Sequence, residues 1–151
     1  MKMLAQSSVA VLFSALLLSA PVHAAGGNVS VNLNEWKIVT SDDNIPAGNV
    51  TLNIKNSGKE VHEIMVLKLT TNAAPGKLPT GSDGALDEDN IAKIGEKIGE
   101  MEDIQPNSNK SLKVSLAPGR YAIVCNRVDK ETDGSTEAHY MKGMSIALNV
   151  K

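Results

Sequence analysis

The sequence is poor in the residues that form cross-links and reactive sites. Its 151 residues include one cysteine, three histidines, one tryptophan and one phenylalanine. A single cysteine excludes a disulfide within the chain. Fifteen basic and seventeen acidic residues give a net charge of −2. That balance argues against a nucleic-acid-binding protein, because such proteins need excess positive charge to neutralise phosphates. The length suits one ordinary domain.

The long hydrophobic run of the sequence lies at its start. Lys2 gives the run a positive beginning, and the apolar residues 9–20 lead to Val22-His23-Ala24, a pattern that signal peptidase reads. The run is short for a membrane span, so an uncleaved anchor is the less favoured alternative. We predict that residues 1–24 are a signal peptide. Residues 25–151 would then form a single domain, exported to the periplasm or another extracytoplasmic compartment and not inserted in a membrane.

Beyond that segment, only His62, His139 and Cys125 carry imidazole or thiol groups. An unpaired thiol is unusual in an exported protein, because the compartment is oxidising. Such a thiol is tolerated when it is buried, when it bridges to a partner, or when a metal holds it as the thiolate. The lone cysteine therefore directs attention to its surroundings.

Apolar residues alternate with polar ones along most of the chain, which is typical of β-strands. A shift of parity towards Trp36 and Ile38 is interpreted as a β-bulge. Residues 64–69 are almost continuously apolar, which predicts a strand covered on both faces. We expect an all-β fold, a Greek-key antiparallel β-sandwich. At least six strands are predicted, within residues 29–38, 50–54, 64–69, 112–116, 121–125 and 144–150.

Residues 70–100 differ from the rest in being rich in Gly, Pro, Asp and Lys. We expect a short helical or irregular excursion there, on the edge of the sandwich. Within it, residues 86–98 are expected to contribute a short helix broken at Gly95.

The alternation predicts that four side chains meet at one pole of the sandwich. Cys125 shares the parity of its core-facing neighbours, so its thiol lies inward at the end of a strand. Met144 lies inward at the start of the last strand by the same argument. His139 is in the loop that joins these two strands, and His62 opens the apolar strand.

These donors suit copper. Thiolate and thioether are soft and favour Cu(I), while imidazole suits either oxidation state. A trigonal site of two histidines and a cysteine with a weak axial methionine lets copper change oxidation state with little rearrangement. Zinc would favour more thiolates or a tetrahedral histidine set, and the sequence has no CxxC pair.

Three motifs resemble those of the cupredoxins, the small blue copper proteins such as plastocyanin and azurin. They are the turn and strand of residues 56–63, the hairpin and strand of residues 116–126, and the histidine, four residues and methionine of residues 139–144. The resemblance implies one copper ion cycling between Cu(I) and Cu(II). It also implies His62, Cys125 and His139 as equatorial ligands and Met144 as the axial ligand.

Two features depart from that pattern. Thirteen residues, 126–138, separate the cysteine from the second histidine, where cupredoxins have few; such a loop gives either a true blue site or a perturbed one. Glu63 follows the first histidine, where many members have an asparagine that tethers the ligand loops. Its carboxylate is a solvated group, a tether or a ligand, and we favour the first two. Met141 and Glu63 are alternatives to Met144 as the axial ligand.

The resulting hypothesis is an exported, monomeric one-electron carrier and not an enzyme, because the sequence offers no nucleophile–base pair. Its partners would be redox proteins such as a cytochrome or a copper oxidase or reductase, with the exposed edge of His139 as the exit. Residues 127–137 hold four acidic and two basic side chains. They form either a solvated surface or a docking surface that would border this edge.

Two other functions compete with this one. A copper carrier or storage protein would transfer the metal, to a copper-trafficking partner, without redox turnover. A metal-free sandwich used for protein interaction would bind no stoichiometric copper.

Overall fold

The computed structural model of the chain describes residues 26–70 and 72–151. The predicted signal peptide, residues 1–24, lies outside the described residues. Within the described ranges, no helix is long and apolar enough to cross a membrane.

The described chain consists almost entirely of β-strands, with one short α-helix and one turn of 3₁₀-helix at Pro75–Lys77. In chain order the elements are β1 (Asn28–Asn34), β2 (Lys37–Thr40), β3 (Asn44–Ile45), β4 (Gly48–Asn56), β5 (His62–Leu69), α1 (Glu88–Ile91), β6 (Gly95–Ile104), β7 (Asn109–Leu116), β8 (Gly119–Val124), β9 (Val128–Lys130), β10 (Thr136–Ala138) and β11 (Ser145–Val150).

Two sheets form the sandwich. One has the strand order β2-β1-β4-β7 and the other the order β3-β11-β8-β5-β6, while β9 and β10 form a separate hairpin. The pairs β1–β4 and β3–β11 are parallel, and the other pairs are antiparallel. The predicted all-β sandwich is confirmed, with those two parallel pairs as its departure from a purely antiparallel arrangement.

Strand β5 is covered on both faces, as its apolar run predicts. Ile64 and Val66 face the main core between the two sheets, whereas Met65 and Leu67 face a second apolar cluster on the outer side of the five-stranded sheet. Because successive side chains of a strand point to opposite faces, a strand buried on both sides needs apolar residues at every position.

The segment that follows β5 differs from its prediction. Residues 72–94 cover the outer face of the five-stranded sheet and not its edge, because Leu78, Leu86 and Ile91 pack into the second cluster. The helix within it spans only Glu88–Ile91, and from Gly95 the chain is the edge strand β6. A side chain at Gly95 would meet the carbonyl oxygen of Lys68, so this glycine permits the close approach of β6 to β5.

One shorter prediction is also corrected. The shift of parity at Trp36 and Ile38 is not a bulge but a tight hairpin, in which Asn34 pairs with Lys37. The long connection between Cys125 and His139 contains the two-stranded hairpin of β9 and β10.

Candidate metal centre

The topology brings the sequence-predicted residues to one end of the sandwich. His62 is the first residue of β5, and Cys125 directly follows β8. Because β5 and β8 are antiparallel neighbours, with Met65 opposite Val124, the start of one strand lies beside the end of the other. His139 follows β10 and precedes the last strand, β11.

Three donor side chains converge there. The Nδ1 atoms of His62 and His139 are 3.2 Å apart, and the Sγ atom of Cys125 is 3.5 Å from Nδ1 of His139. All three residues are fully buried, and one donor atom from each lies within 4.8 Å of the others. They are positioned to coordinate a metal ion.

Met144 lies at the same end of the sandwich as these three donors, and the side chain of Met141 points away from them. The Met144 side chain is fully buried in the main core. Its carbonyl oxygen accepts a hydrogen bond from the Cys125 N–H at 3.0 Å, and its own N–H donates to the His139 carbonyl at 3.2 Å. Met141, by contrast, is 64% exposed. Of the two thioethers, that of Met144 is therefore the one inside the protein.

The cysteine sulfur lies in a dry environment that contains hydrogen-bond donors. Burial raises the pKa of Cys125 to about 11, and backbone N–H groups of Arg127 and Glu63 oppose that rise. The Glu63 N–H lies 3.4 Å from Sγ. Without a cation the thiol therefore keeps its proton, and a bound metal ion would release that proton because the thiolate is the ligand form.

Both imidazoles direct Nδ1 inward and Nε2 towards a carboxylate. Nε2 of His62 is 3.6 Å from Glu35 Oε1, and Nε2 of His139 is 3.1 Å from Asp129 Oδ2. Among the described residues, neither buried Nε2 has a partner with hydrogen-bond geometry, so these contacts are electrostatic. Burial lowers the pKa of both histidines, which favours the neutral imidazole that binds metals.

The two carboxylates are themselves held in place. Glu35 accepts hydrogen bonds from the backbone N–H groups of Lys59 at 2.6 Å and Glu60 at 2.9 Å. Asp129 Oδ1 lies 2.8 Å from Nε and 2.7 Å from an η nitrogen of Arg127. The sequence analysis missed Glu35 and considered Asp129 only as a surface charge, since nothing in their spacing points to the histidines.

His139 is enclosed, which corrects the expectation of an exposed histidine edge. The imidazole is fully buried, and the Trp36 ring contacts it edge-on, with centroids 4.8 Å apart and planes at 70°. The ammonium group of Lys142 lies 5.4 Å from the centre of the Trp36 ring. Trp36 and Asp129 therefore stand where the sequence analysis expected a solvent-facing histidine.

A buried asparagine tethers the turn before His62. The Asn56 side chain donates to the carbonyl groups of Glu60 and Ile104, both at 2.8 Å, and accepts from the Gly58 N–H at 2.9 Å. Sequence reasoning sought this role in the residue after the histidine. Glu63 instead places its N–H on the sulfur, and its half-buried carboxyl has a pKa raised to about 7 by desolvation and by nearby acidic residues.

A β-sandwich of these two sheets, with its donor residues at one end, is the cupredoxin fold. Solved structures with this fold include a dithionite-reduced auracyanin from Roseiflexus castenholzii, 18% identical, covering 85% of this chain and 98% of that one, with a TM-score of 0.52. The azurin Az-iso2 of Methylomonas sp. strain J is 17% identical, covers 84% and 99%, and has a TM-score of 0.55. Rusticyanin from Thiobacillus ferrooxidans is 12% identical, covers 85% and 79%, and has a TM-score of 0.54.

These identities are low, so the likeness establishes the fold and no more. In sequence, no family model and no curated protein matches the chain. The resemblance to cupredoxins inferred from three motifs is thus confirmed for the fold. The function has to be argued from the site.

Proposed function

We propose that this chain is a mononuclear copper protein that carries one electron at a time, with His62, Cys125 and His139 as equatorial ligands and Met144 as the axial ligand. The observation that carries the proposal is the convergence of one thiol and two Nδ1 atoms in a fully buried position. When bound, copper would supply a reversible change between Cu(I) and Cu(II).

The donor set fits that metal. One thiol and two neutral imidazoles form the combination found in blue-copper sites, and the buried thioether of Met144 suits a weak fourth contact. The N–H groups of Glu63 and Arg127 near Sγ would stabilise negative charge on the sulfur, because hydrogen bonds to a charged group favour the charged form.

The protein's own contribution is rigidity and exclusion of water. His62 and Cys125 are attached to two adjacent strands of one sheet, and Asn56 fixes the turn that leads into His62. Ligands held on strands resist rearrangement better than ligands on free loops. A site that moves little when its charge changes is suited to electron transfer.

The fold neighbours support copper as the metal, since one of the rusticyanin structures, 16% identical with a TM-score of 0.53, is described as that of a copper protein. The partner of this chain would be a redox protein, and export to the periplasm remains part of the proposal. Because His139 is covered, electrons would pass between His139 and that partner through the partly buried Trp36.

The test is to add copper to the purified protein and to record visible absorption and electron paramagnetic resonance. We expect one copper per chain and a thiolate-to-copper band that is lost in Cys125→Ser. Met144→Leu should shift the reduction potential, because axial ligands tune it. The exposed Met141→Leu is the matched control and should leave the potential unchanged.

Two results would reject the proposal. Exchangeable surface copper with no thiolate band would remove the site altogether. A thiolate band with copper that passes quickly to a competing chelator would favour the copper carrier, because a redox site must keep its metal through many turnovers.

A further inference from the structure

The long connection between Cys125 and His139 has an ordered base. Three residue pairs join β9 to β10, among them Val128 with Ala138 and Asp129 with Glu137. The His139 N–H donates to the Arg127 carbonyl at 2.9 Å and closes the hairpin at its base. The register therefore fixes where Asp129 lies relative to the imidazole of His139.

The two oxygens of Asp129 have different contacts. Oδ1 is occupied by the Arg127 guanidinium at 2.7 and 2.8 Å. Oδ2 lies 3.1 Å from Nε2 of His139, a distance within hydrogen-bond reach. Arg127 also contacts Asp103 at 3.2 Å, on the end of strand β6, so the guanidinium is held from both sides. The carboxylate next to His139 is thus fixed in orientation.

The imidazole has two distinct sides. Nδ1 faces the His62 Nδ1 atom and the Cys125 sulfur. Nε2 is buried; its contact with Asp129 is within hydrogen-bond distance but lacks hydrogen-bond geometry, and no other partner is present among the described residues. A bare Nε2 lone pair against a carboxylate would be repulsive, whereas a hydrogen on Nε2 makes the same contact attractive. The contact therefore favours a hydrogen on Nε2 and a lone pair on Nδ1, towards which the Cys125 thiol can donate.

We propose that Asp129 is a positioning residue that holds His139 with hydrogen on Nε2, so that the Nδ1 lone pair points towards the donor cluster. Asp129 is not a charge reserved for a docking partner. The β9–β10 hairpin within the thirteen-residue connection places this carboxylate beside the imidazole. The inference rests on the proposed function for its consequence at copper, but the imidazole form exists in the metal-free protein and can be measured there.

The first test measures ¹⁵N shifts of the two ring nitrogens of His139 in the metal-free protein by NMR. We expect the Nε2–H form in the native chain and in Asp129→Asn, whose amide oxygen still accepts a hydrogen bond. In Asp129→Ala the Nδ1–H form should become populated. Glu131→Gln is the matched control, since it removes one exposed charge from the same hairpin. An Nδ1–H form in the native chain would overturn the proposal.

The second test measures copper affinity and reduction potential. Removing a partner of a ligand histidine typically weakens metal binding 10–100-fold, so we expect roughly a tenfold or greater loss in Asp129→Ala. Loss of the negative charge should weaken the binding of Cu(II) more than that of Cu(I), and it should therefore raise the reduction potential. A tenfold difference corresponds to about 59 mV for one electron.

If Asp129→Ala fails to fold, the ring form of His139 in the native chain decides the matter. The Nε2–H form supports the inference, and the Nδ1–H form overturns it. If the native protein binds no copper, the proposed function fails. The ¹⁵N measurement then still tests the role of Asp129 independently.

Discussion

The two histidines of the site are held in different ways. The His62 arm, residues 56–62, is a tight turn between adjacent elements, and the side chain of its first residue, Asn56, makes three hydrogen bonds. The His139 arm, residues 126–140, is a hairpin held by distant partners. Asn126 accepts from the Leu86 N–H at 2.6 Å, and Tyr140 binds the segment after β5. One arm depends on local geometry and the other on the rest of the fold.

That difference explains which ligand could be placed most securely from sequence. His62 follows a recognisable turn and opens a strand, so its position follows from local patterns. The position of His139 depends on the β9–β10 hairpin, on Trp36 and on residues 72–94, the covering segment of the five-stranded sheet. Substitutions in the two arms should therefore disturb the site in different ways.

Asn56→Ala should damage the His62 arm most. The substitution leaves one buried carbonyl group, one partly buried carbonyl group and one buried N–H without their partner, and each unsatisfied buried group costs about 1–3 kcal/mol. We expect the free energy of unfolding to fall by about 3 kcal/mol, measured by urea denaturation. Asn53→Ala, an exposed asparagine of the same strand, is the control and should change it by less than about 0.5 kcal/mol. Equal effects would show that the turn is not held by Asn56.

Tyr140→Phe should loosen the His139 arm. The hydroxyl accepts from the Leu78 N–H at 2.6 Å and donates to the Pro75 carbonyl at 2.8 Å. Its loss should cost about 2 kcal/mol and speed hydrogen exchange in residues 126–140. Tyr121→Phe removes a single hydrogen bond, to the Ala117 carbonyl, and serves as the control. Unchanged exchange in Tyr140→Phe would mean that the hairpin stands without the covering segment.

Trp36→Leu should affect the His139 arm more than the His62 arm, although the β1–β2 turn contacts both. Glu35 lies against His62, and Trp36 lies against His139. We expect a loss of about 1.5 kcal/mol from the aromatic contact and burial. Reaction of His139 with diethyl pyrocarbonate in the metal-free protein should become faster, while that of His62 should not. Equal protection of His139 before and after substitution would contradict the covering role of Trp36.

Glu63→Gln should give the smallest effect, visible as a change with pH. The pKa of the Glu63 carboxyl in the folded protein, about 7, exceeds the ordinary carboxyl value of 4.5. The stabilising contribution of the protonated carboxyl is thus fully present below pH 4.5 and is lost as the pH rises through 7.

In the metal-free protein, the Gln variant should therefore gain about 1 kcal/mol over the native chain between pH 4.5 and pH 8. This value is discounted because the group is partly exposed. Parallel stability curves for the two proteins would contradict the raised pKa.

Alternation predicted most of the sandwich because its strands have one face in the core. Cys125 and Met144 were placed at one end on the same basis, and the structure buries both. Strand β6 was missed because it is an edge strand with two glycines and many partly exposed residues, so its sequence has no clear period of two.

The surroundings of His139 could not be predicted for another reason. Its contacts with Trp36 and Asp129 join residues whose positions depend on two separate hairpins. No spacing in the sequence encodes the relation between those hairpins. The expected exposed imidazole edge was wrong because Trp36 and Asp129 stand against it.

The far tip of the β9–β10 hairpin has a practical consequence. Residues 131–136 are exposed, and Gly134 has open space around it, while the base is closed by the bond between His139 and Arg127. Lengthening a surface loop costs little, about 0.6 kcal/mol for each doubling. The tip is therefore a natural place to insert a fluorescent reporter or an affinity tag without disturbing the His139 imidazole.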